Sequence, residues 1–304
     1  MQQRLTPATA GLLLLPPLLW AGNAVVGRLM AGLVPPVTLN FLRWALAFLL
    51  MLPFAAWVMR PGSPLWPLWR RFAVLGLLGV GCYNALQYLA LKTSTPLNVT
   101  LVAASTPAFM LGIGALWFGQ RITQRQLLGA AMSITGVLVV LSHGDADLLL
   151  QVRLVPGDLF VLLATACWAV YSWLLVRPGD PPEIRSDWAA FLMAQLVFGL
   201  GWSAAFAAGE WAAAPQHIEW GWPVVAALAY VAVGPAILAY RSWGLGVQRV
   251  GPNIAGFFSN LTPLFAALMS AAVLGEVPRL YHAAAFVLIV GGIVVSSGKV
   301  RLPR

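Results

Sequence analysis

The sequence predicts an all-α integral membrane protein: ten transmembrane helices arranged as two inverted-topology five-helix repeats. Three observations carry this expectation. Hydrophobic residues fill 60% of the 304 positions and charged residues only 9%, against about 45–50% and about 25% in ordinary soluble domains. The apolar residues gather into runs that match a bilayer core about 30 Å thick, which takes roughly 20 helical residues to cross. The chain also echoes itself at a long offset. The composition excludes a soluble enzyme, a disordered chain, collagen and a coiled coil.

The runs fall at 8–30, 37–59, 69–91, 97–119, 124–142, 156–176, 187–208, 222–247, 252–275 and 280–298. Pro35-Pro36, Arg60-Pro61-Gly62, Thr95-Pro96, Arg177-Pro178-Gly179 and Gly251-Pro252 separate them, because proline and glycine end helices and shape turns. Pro96 and Pro252 suit a first helical turn, where the missing N–H is no loss. Arg4 precedes the first run as it would in a signal peptide, but further spans follow, so the run is expected to be retained.

Orientation follows from Lys and Arg, which favour the cytoplasmic side. With the N-terminus in the cytoplasm, that side carries Arg4, Arg60, Arg70, Arg71, Arg121, Arg125, Arg177, Arg185, Arg249, Lys299, Arg301 and Arg304. The outer side carries Arg28, Lys92, Arg153 and Arg279, while Arg43 and Arg241 fall within spans. Both termini are therefore expected in the cytoplasm, in a bacterial inner membrane. Trp66, Trp69, Trp188, Trp211, Trp220 and Trp222 sit at span ends, where an interfacial aromatic belt belongs.

The repeat is visible residue by residue. Pro96 and Pro252, Pro107 and Pro263, Gly119 and Gly275, and Gly136 and Gly292 share one spacing of 156 residues. Leu19-Trp20-Ala21 returns as Cys167-Trp168-Ala169. Division into 1–144 and 145–304 gives each copy five spans. Five is odd, so the second copy enters the membrane from the opposite side. Inverted repeats of this kind place a substrate site near the bilayer midplane, at the repeat interface.

These features resemble the drug/metabolite transporter superfamily, and within it the EamA-type ten-helix exporters. The matching residues are Leu19-Trp20-Ala21-Gly22-Asn23, Pro36 with Arg43-Trp44, the mid-span Pro107 and Pro263, and Leu274-Gly275-Glu276. The likeness covers nearly the whole chain and extends to the YddG-type amino-acid exporters. One departure stands out: the family's Gly-Glu pair after the fourth span is Gly119-Gln120 here, which implies that the acid is structural and dispensable in one half. The resemblance implies export of small metabolites by alternating access without ATP. The absence of a GxxxxGK[ST] loop agrees with that.

Candidate site residues follow from what a bilayer tolerates. Pro107 lies 11 residues after Pro96, about 16 Å deep at the helical rise, and Pro263 matches it from the other side. Both are expected to kink helices around a cavity. Asn23, Gln87, Asn98 and Asn260, with Asn40, Asn84, Ser105, Gln195 and Ser259, place uncharged donors and acceptors at depth. Trp20, Trp168, Tyr83, Tyr171 and Tyr240 supply aromatic walls. Arg43 is an intramembrane cation that either snorkels outward or meets a substrate carboxylate.

No Asp or Glu falls near the middle of a span. Export of cationic drugs is therefore disfavoured, since it asks for a buried carboxylate, and sugar phosphates would ask for several convergent cations. A neutral or zwitterionic solute remains, with amino acids, aromatic or otherwise neutral, as the leading class. The alternatives are an exporter of other solutes such as drugs, a membrane enzyme acting on lipid or acyl groups, and a receptor or scaffold. An enzyme would need a polar catalytic cluster, and His143, His217 and His282 are scattered. Cys82 and Cys167 form no CxxC pair. No catalytic residue, metal or cofactor is expected. Nucleic acid is not expected either, because the basic residues form no stripe. The expected partners are a small-molecule substrate and the lipid bilayer, and the sequence leaves the oligomeric state open.

Overall fold

The computed structural model describes residues 5–94, 96–145, 147–274 and 279–298, and all their regular structure is helical. The main helices are α1 (Pro7–Leu29), α2 (Pro36–Ala55), α3 (Trp66–Ala90), α4 (96–118), α5 (Gln124–Leu141), α6 (Pro156–Leu175), α7 (Trp188–Ala213), α8 (Trp222–Val250), α9 (252–274) and α10 (Leu280–Ser297). Among the described residues nine stretches are long and apolar enough to span a membrane. The expected run 252–275 is instead divided into Pro252–Ser259 and Leu261–Leu274. Gly275-Glu276 lies outside the described residues, as do Arg4, Thr95, Lys299, Arg301 and Arg304.

Helix ends are tied down by their own chemistry. Thr123 and Gln126 form a reciprocal capping box at the start of α5. Asp187 accepts from the Ala189 and Ala190 N–H groups at the start of α7. Pro35 offers no cap to α2, and Glu210 does that work from α7, accepting from the Val37 and Thr38 N–H groups at 3.2 and 2.8 Å. Expected α7 ended near 208; it runs on to place this carboxylate. Gly119, the α4 member of the Gly-Glu/Gly-Gln comparison, adopts φ 62° and closes its helix with an N–H bond to the Gly114 carbonyl.

Packing repeats about an approximate two-fold axis. The pair α1–α8 has its counterpart in α3–α6, and α1 against the second half of α9 has its counterpart in α6 against the second half of α4. The pairs α2–α7 and α5–α10 map onto themselves. At the α5–α10 contact a Cβ on Gly129 would lie 2.6 Å from the Gly292 carbonyl oxygen, and one on Gly136 would lie 3.0 Å from the Ala285 carbonyl oxygen. Gly129 corresponds to Ala285 and Gly136 to Gly292, so these two contacts are one contact seen twice. Small residues here let backbones approach, as lipid-embedded helix pairs require.

The duplication extends to irregularities that the sequence did not announce. Both α3 and α8 contain a π-helical stretch, Gly76–Cys82 and Ala232–Leu238, 156 residues apart at both ends. Both α4 and α9 are interrupted three residues before their mid-span prolines, at Ala104 and at Asn260. In α4 the Pro107 ring denies the Ala103 carbonyl its helical partner. The Thr106 hydroxyl supplies one at 2.6 Å, and Ser105 caps Val102 likewise.

Gly129→Val should therefore destabilise the protein by about 1–3 kcal/mol through overpacking, read as a lower unfolding temperature of the purified protein in detergent. An unchanged melting temperature would contradict the close α5–α10 contact.

Candidate substrate cavity

A cavity of about 500 Å³ occupies the interior. Its walls are Trp20, Asn23, Ala24 and Gly27 of α1, Tyr83, Asn84, Gln87 and Tyr88 of α3, and the two helix interruptions, with Ala103, Ala104 and Thr106 on one side and Ser259, Asn260, Thr262 and Pro263 on the other. It extends to Gly32, Val34 and Lys92 at one end of the bundle, the end where α1 finishes and α2 begins. That end is the mouth. The interruptions meet each other directly: Asn260 Nδ2 donates to the Ala104 carbonyl at 3.2 Å and to Ser133 Oγ at 2.9 Å.

The floor is a septum of aromatic rings. Trp168, 1% exposed, sits at its centre. It stacks on Tyr83 at 4.5 Å and on Tyr171 at 5.1 Å, and meets Trp20, Tyr240 and Trp243 at 5.2–5.4 Å. Each such pair contributes about 0.5–1.5 kcal/mol beyond its buried area. The ring polar atoms anchor the septum to the π stretches. Trp20 Nε1 donates to the Pro235 carbonyl of α8, and the Tyr240 hydroxyl donates to the Gly79 carbonyl of α3. Trp243 Nε1 reaches Ser172 at 3.1 Å, and the Tyr171 hydroxyl reaches Gln195 Oε1 at 2.8 Å.

The structure brings together Trp20, Asn23, Tyr83, Gln87, Asn260 and Pro263 on the cavity wall. Trp168, Tyr171 and Tyr240 lie in the septum; Tyr171 and Tyr240 line a smaller pocket of about 40 Å³ beyond it, with Gln195, Arg241 and Gln248. Pro107 is buried behind the α4 interruption.

Two expectations need correction. Asn98 does not line the cavity; its Nδ2 donates to Asp158 at 3.0 Å and to the Arg153 carbonyl at 2.8 Å, fastening the start of α4 to that of α6. Asp158, which Ser94 and the Val155 N–H also bind, made that partner more attractive than open space. Arg43 does not snorkel. It is fully buried behind the wall, where Nη1 lies 3.4 Å from Asn23 Oδ1 and 3.4 Å from the Tyr88 hydroxyl, and its guanidinium stacks over Trp44 at 5.0 Å. Asn84 and Ser259, also expected as polar residues at depth, line the wall as well. Tyr88, Thr100, Thr106 and Thr262 were not expected there, since a hydroxyl beside an apolar run carries no depth signal.

The EamA-like transporter family model matches residues 8–142 and again 155–298. The chain belongs to the EamA-like transporter family. This EamA-like transporter is 28% identical to the aromatic amino acid exporter YddG of Ancylobacter novellus, over 76% of each chain. It is also 28% identical to a probable amino-acid metabolite efflux pump of Salmonella typhimurium, over 96% of each chain. A crystal structure of a protein 24% identical in sequence superposes with a TM-score of 0.72, covering 95% of this chain and 96% of its own; that likeness speaks for the fold. The chain is thus a multi-pass membrane transporter of a small-molecule substrate, and the two matches of the family model fall one on helices α1 to α5 and one on helices α6 to α10.

Beyond the septum this EamA-like transporter carries a cluster of charges. Arg71 of α3 binds the buried Asp180 through Nε and through Nη2 at 2.9 Å, and Nη2 also reaches the Leu174 and Arg177 carbonyls at 3.1 Å. Arg185 Nη1 adds a bond to Asp180 at 2.9 Å. Burial holds the Arg185 guanidinium below its ordinary pKa, against the opposing pull of Asp180. At the mouth the ion pair is looser: half-exposed Lys92 stands 3.7 Å from Glu210.

Breaking this cluster should widen access to the small pocket. With Cys82 and Cys167 replaced by alanine, a Gln248→Cys variant should react slowly with a water-soluble maleimide, and adding Arg71→Gln should accelerate labelling severalfold. Equal rates would show that Arg71 does not restrict that access.

Proposed function

We propose that this protein exports small amino acids, aromatic or otherwise neutral, across the bacterial inner membrane by alternating access. The observation that carries the reading is a cavity walled by amides, hydroxyls, aromatic rings and apolar side chains, whose charged lining among the described residues is limited to Lys92 at the mouth. Uncharged donors and acceptors suit a zwitterion, and ring faces suit an apolar side chain. The names of the two relatives, an aromatic amino acid exporter and a probable amino-acid metabolite efflux pump, support the same class.

In this reading 1–144 and 145–304 are the two moving repeats, and both termini face the cytoplasm. The mouth then faces outward, and the structure is the release state. The septum and the Arg71–Asp180–Arg185 cluster close the cytoplasmic side. The counterpart of the cavity is the small pocket. Tyr171 corresponds to Asn23 by the Trp20–Trp168 spacing, and Tyr240 and Gln248 correspond to Asn84 and Lys92 by the 156-residue spacing. Exchange of the two repeat conformations would open that pocket and collapse the cavity, moving the site from one face to the other around a fixed midplane. The interruptions at Ala104 and Asn260, with Pro107 and Pro263 beside them, are where α4 and α9 bend.

No Asp, Glu or His lines the cavity among the described residues. The solute's own gradient therefore drives flux in this reading, without a proton carrier at the site. Purified protein in liposomes should exchange labelled L-phenylalanine, and an imposed pH gradient should leave the rate unchanged. Trp168→Ala should lower exchange about tenfold or more, because it removes the ring on which the septum closes, at a packing cost of roughly 3–5 kcal/mol. Absence of flux for every amino acid in a broad panel would sink the proposal.

A further inference from the structure

The cavity holds asparagines whose two ends are not interchangeable. Arginine only donates hydrogen bonds. The contact of Arg43 Nη1 with Asn23 therefore fixes which end of that amide faces inward to the protein: it is the oxygen. The Tyr88 hydroxyl donates to the same oxygen at 3.1 Å, and accepts in turn from Arg43. With its oxygen doubly occupied, Asn23 presents its N–H₂ to the cavity it lines. A backbone carbonyl only accepts, so the Ala104 contact fixes Asn260 in the opposite sense: its nitrogen is used and its oxygen remains. Asn84 has the sense of Asn260, since its Nδ2 lies 3.5 Å from a Tyr240 hydroxyl whose proton is already given to Gly79.

The charge behind Asn23 matters as much as its orientation. Arg43 is 0% exposed, and no carboxylate pairs with it among the described residues, where the ion pairs are Arg71–Asp180, Arg185–Asp180 and Lys92–Glu210. Its Nε and Nη2 meet no acceptor there. A buried cation without a counter-charge is costly. An anion brought to Asn23 lowers that cost through the donor chain Arg43 to Asn23 to ligand. One guanidinium and one amide match a single carboxylate; a phosphate would call for several converging cations.

We propose that the Asn23 amide N–H₂, oriented and charged by Arg43, is the carboxylate-reading group of the cavity, and that the Asn260 and Asn84 carbonyl oxygens read the ammonium. The assignment rests on the amino-acid reading above and deepens it: the ligand has a fixed polarity, with its carboxylate toward α1 and α2 and its ammonium toward the α9 interruption and α3. Asn23 is the specificity-determining residue and Arg43 its positioning residue.

Calorimetric titration of the purified protein with L-phenylalanine, 3-phenylpropionate and phenethylamine separates the two ends, because each one-ended ligand keeps only one charge. L-Phenylalanine should bind tightest, and 3-phenylpropionate should outbind phenethylamine. Asn23→Asp converts the donor to an acceptor and gives Arg43 a permanent partner, so it should reverse that order, weakening 3-phenylpropionate roughly 10–100-fold, the range for one charge-assisted hydrogen bond. Arg43→Gln should weaken 3-phenylpropionate without affecting phenethylamine, and Arg43→Lys should restore part of the loss, which a purely structural role would not produce. Binding is read apart from flux. An intact ligand order with no amino-acid exchange in liposomes would count against export and uphold the assignment. Phenethylamine binding at least as well as 3-phenylpropionate in the unaltered protein, no binding of any of the three, or an Asn23→Asp variant with unaltered order would overturn it.

Discussion

A carbonyl released from its helix inside a bilayer has to be capped from within the protein, because the lipid offers no donor. That constraint organises this molecule. The π stretch of α3 frees carbonyls that Tyr240, Asn40 and Ser203 take up at Gly79 and Val80. The π stretch of α8 has its Pro235 carbonyl taken up by Trp20. The α4 interruption is taken up by Thr106 and by Asn260. In most of these bonds the donor belongs to the opposite half. Irregular backbone and inter-repeat contact are therefore the same feature: each half is completed by the other. The rings that cap the π stretches also form the septum, so the closure of the cavity and the satisfaction of the backbone share their side chains.

The two halves are alike in shape and unlike in chemistry. Where α1 meets α2, Asn23 faces Arg43; where α6 meets α7, the Tyr171 hydroxyl faces Gln195. One end of the pathway thus carries a buried charge and the other a neutral pair. The ion pairs differ too, with a buried Asp180 held by two arginines at the closed end and a half-exposed Lys92 near Glu210 at the mouth. A symmetric fold with asymmetric side chains would not hold the two proposed conformations at equal energy, and the tighter cluster lies at the end opposite the mouth.

Much of this was legible in the sequence because bilayers impose strong rules. Run lengths and proline–glycine punctuation located the helices, and the 156-residue spacing of Pro107 with Pro263 located the duplication. Composition without mid-span acids pointed to an uncharged cavity. The π stretches were not legible. Gly76, Gly79 and Gly81 in α3, and Gly234-Pro235 in α8, differ in residue type yet produce the same distortion, so no shared motif marks it. Side-chain direction was not legible either. Asn98 and Asn23 look alike in a helical run, but a buried Asp158 claims the first. For Arg43 the sequence leaves snorkelling open, because distance from a span end ignores what packs over the side chain. Nothing in the sequence around Glu210 marks it as the group that completes the start of a neighbouring helix.

The α5–α10 contact has a different standing from everything around the cavity. Gly129 against Gly292 and Gly136 against Ala285 are equivalent under interchange of the halves. In the proposed exchange of repeat conformations, the free energy that seam contributes would be nearly the same in both states and would largely cancel from the balance between them. It behaves as a fulcrum. Matched changes at Gly129 with Ala285, or at Gly136 with Gly292, would then alter how durable the molecule is while leaving its preference for one face nearly untouched, which makes the seam the natural place to strengthen the protein without biasing the direction in which it opens.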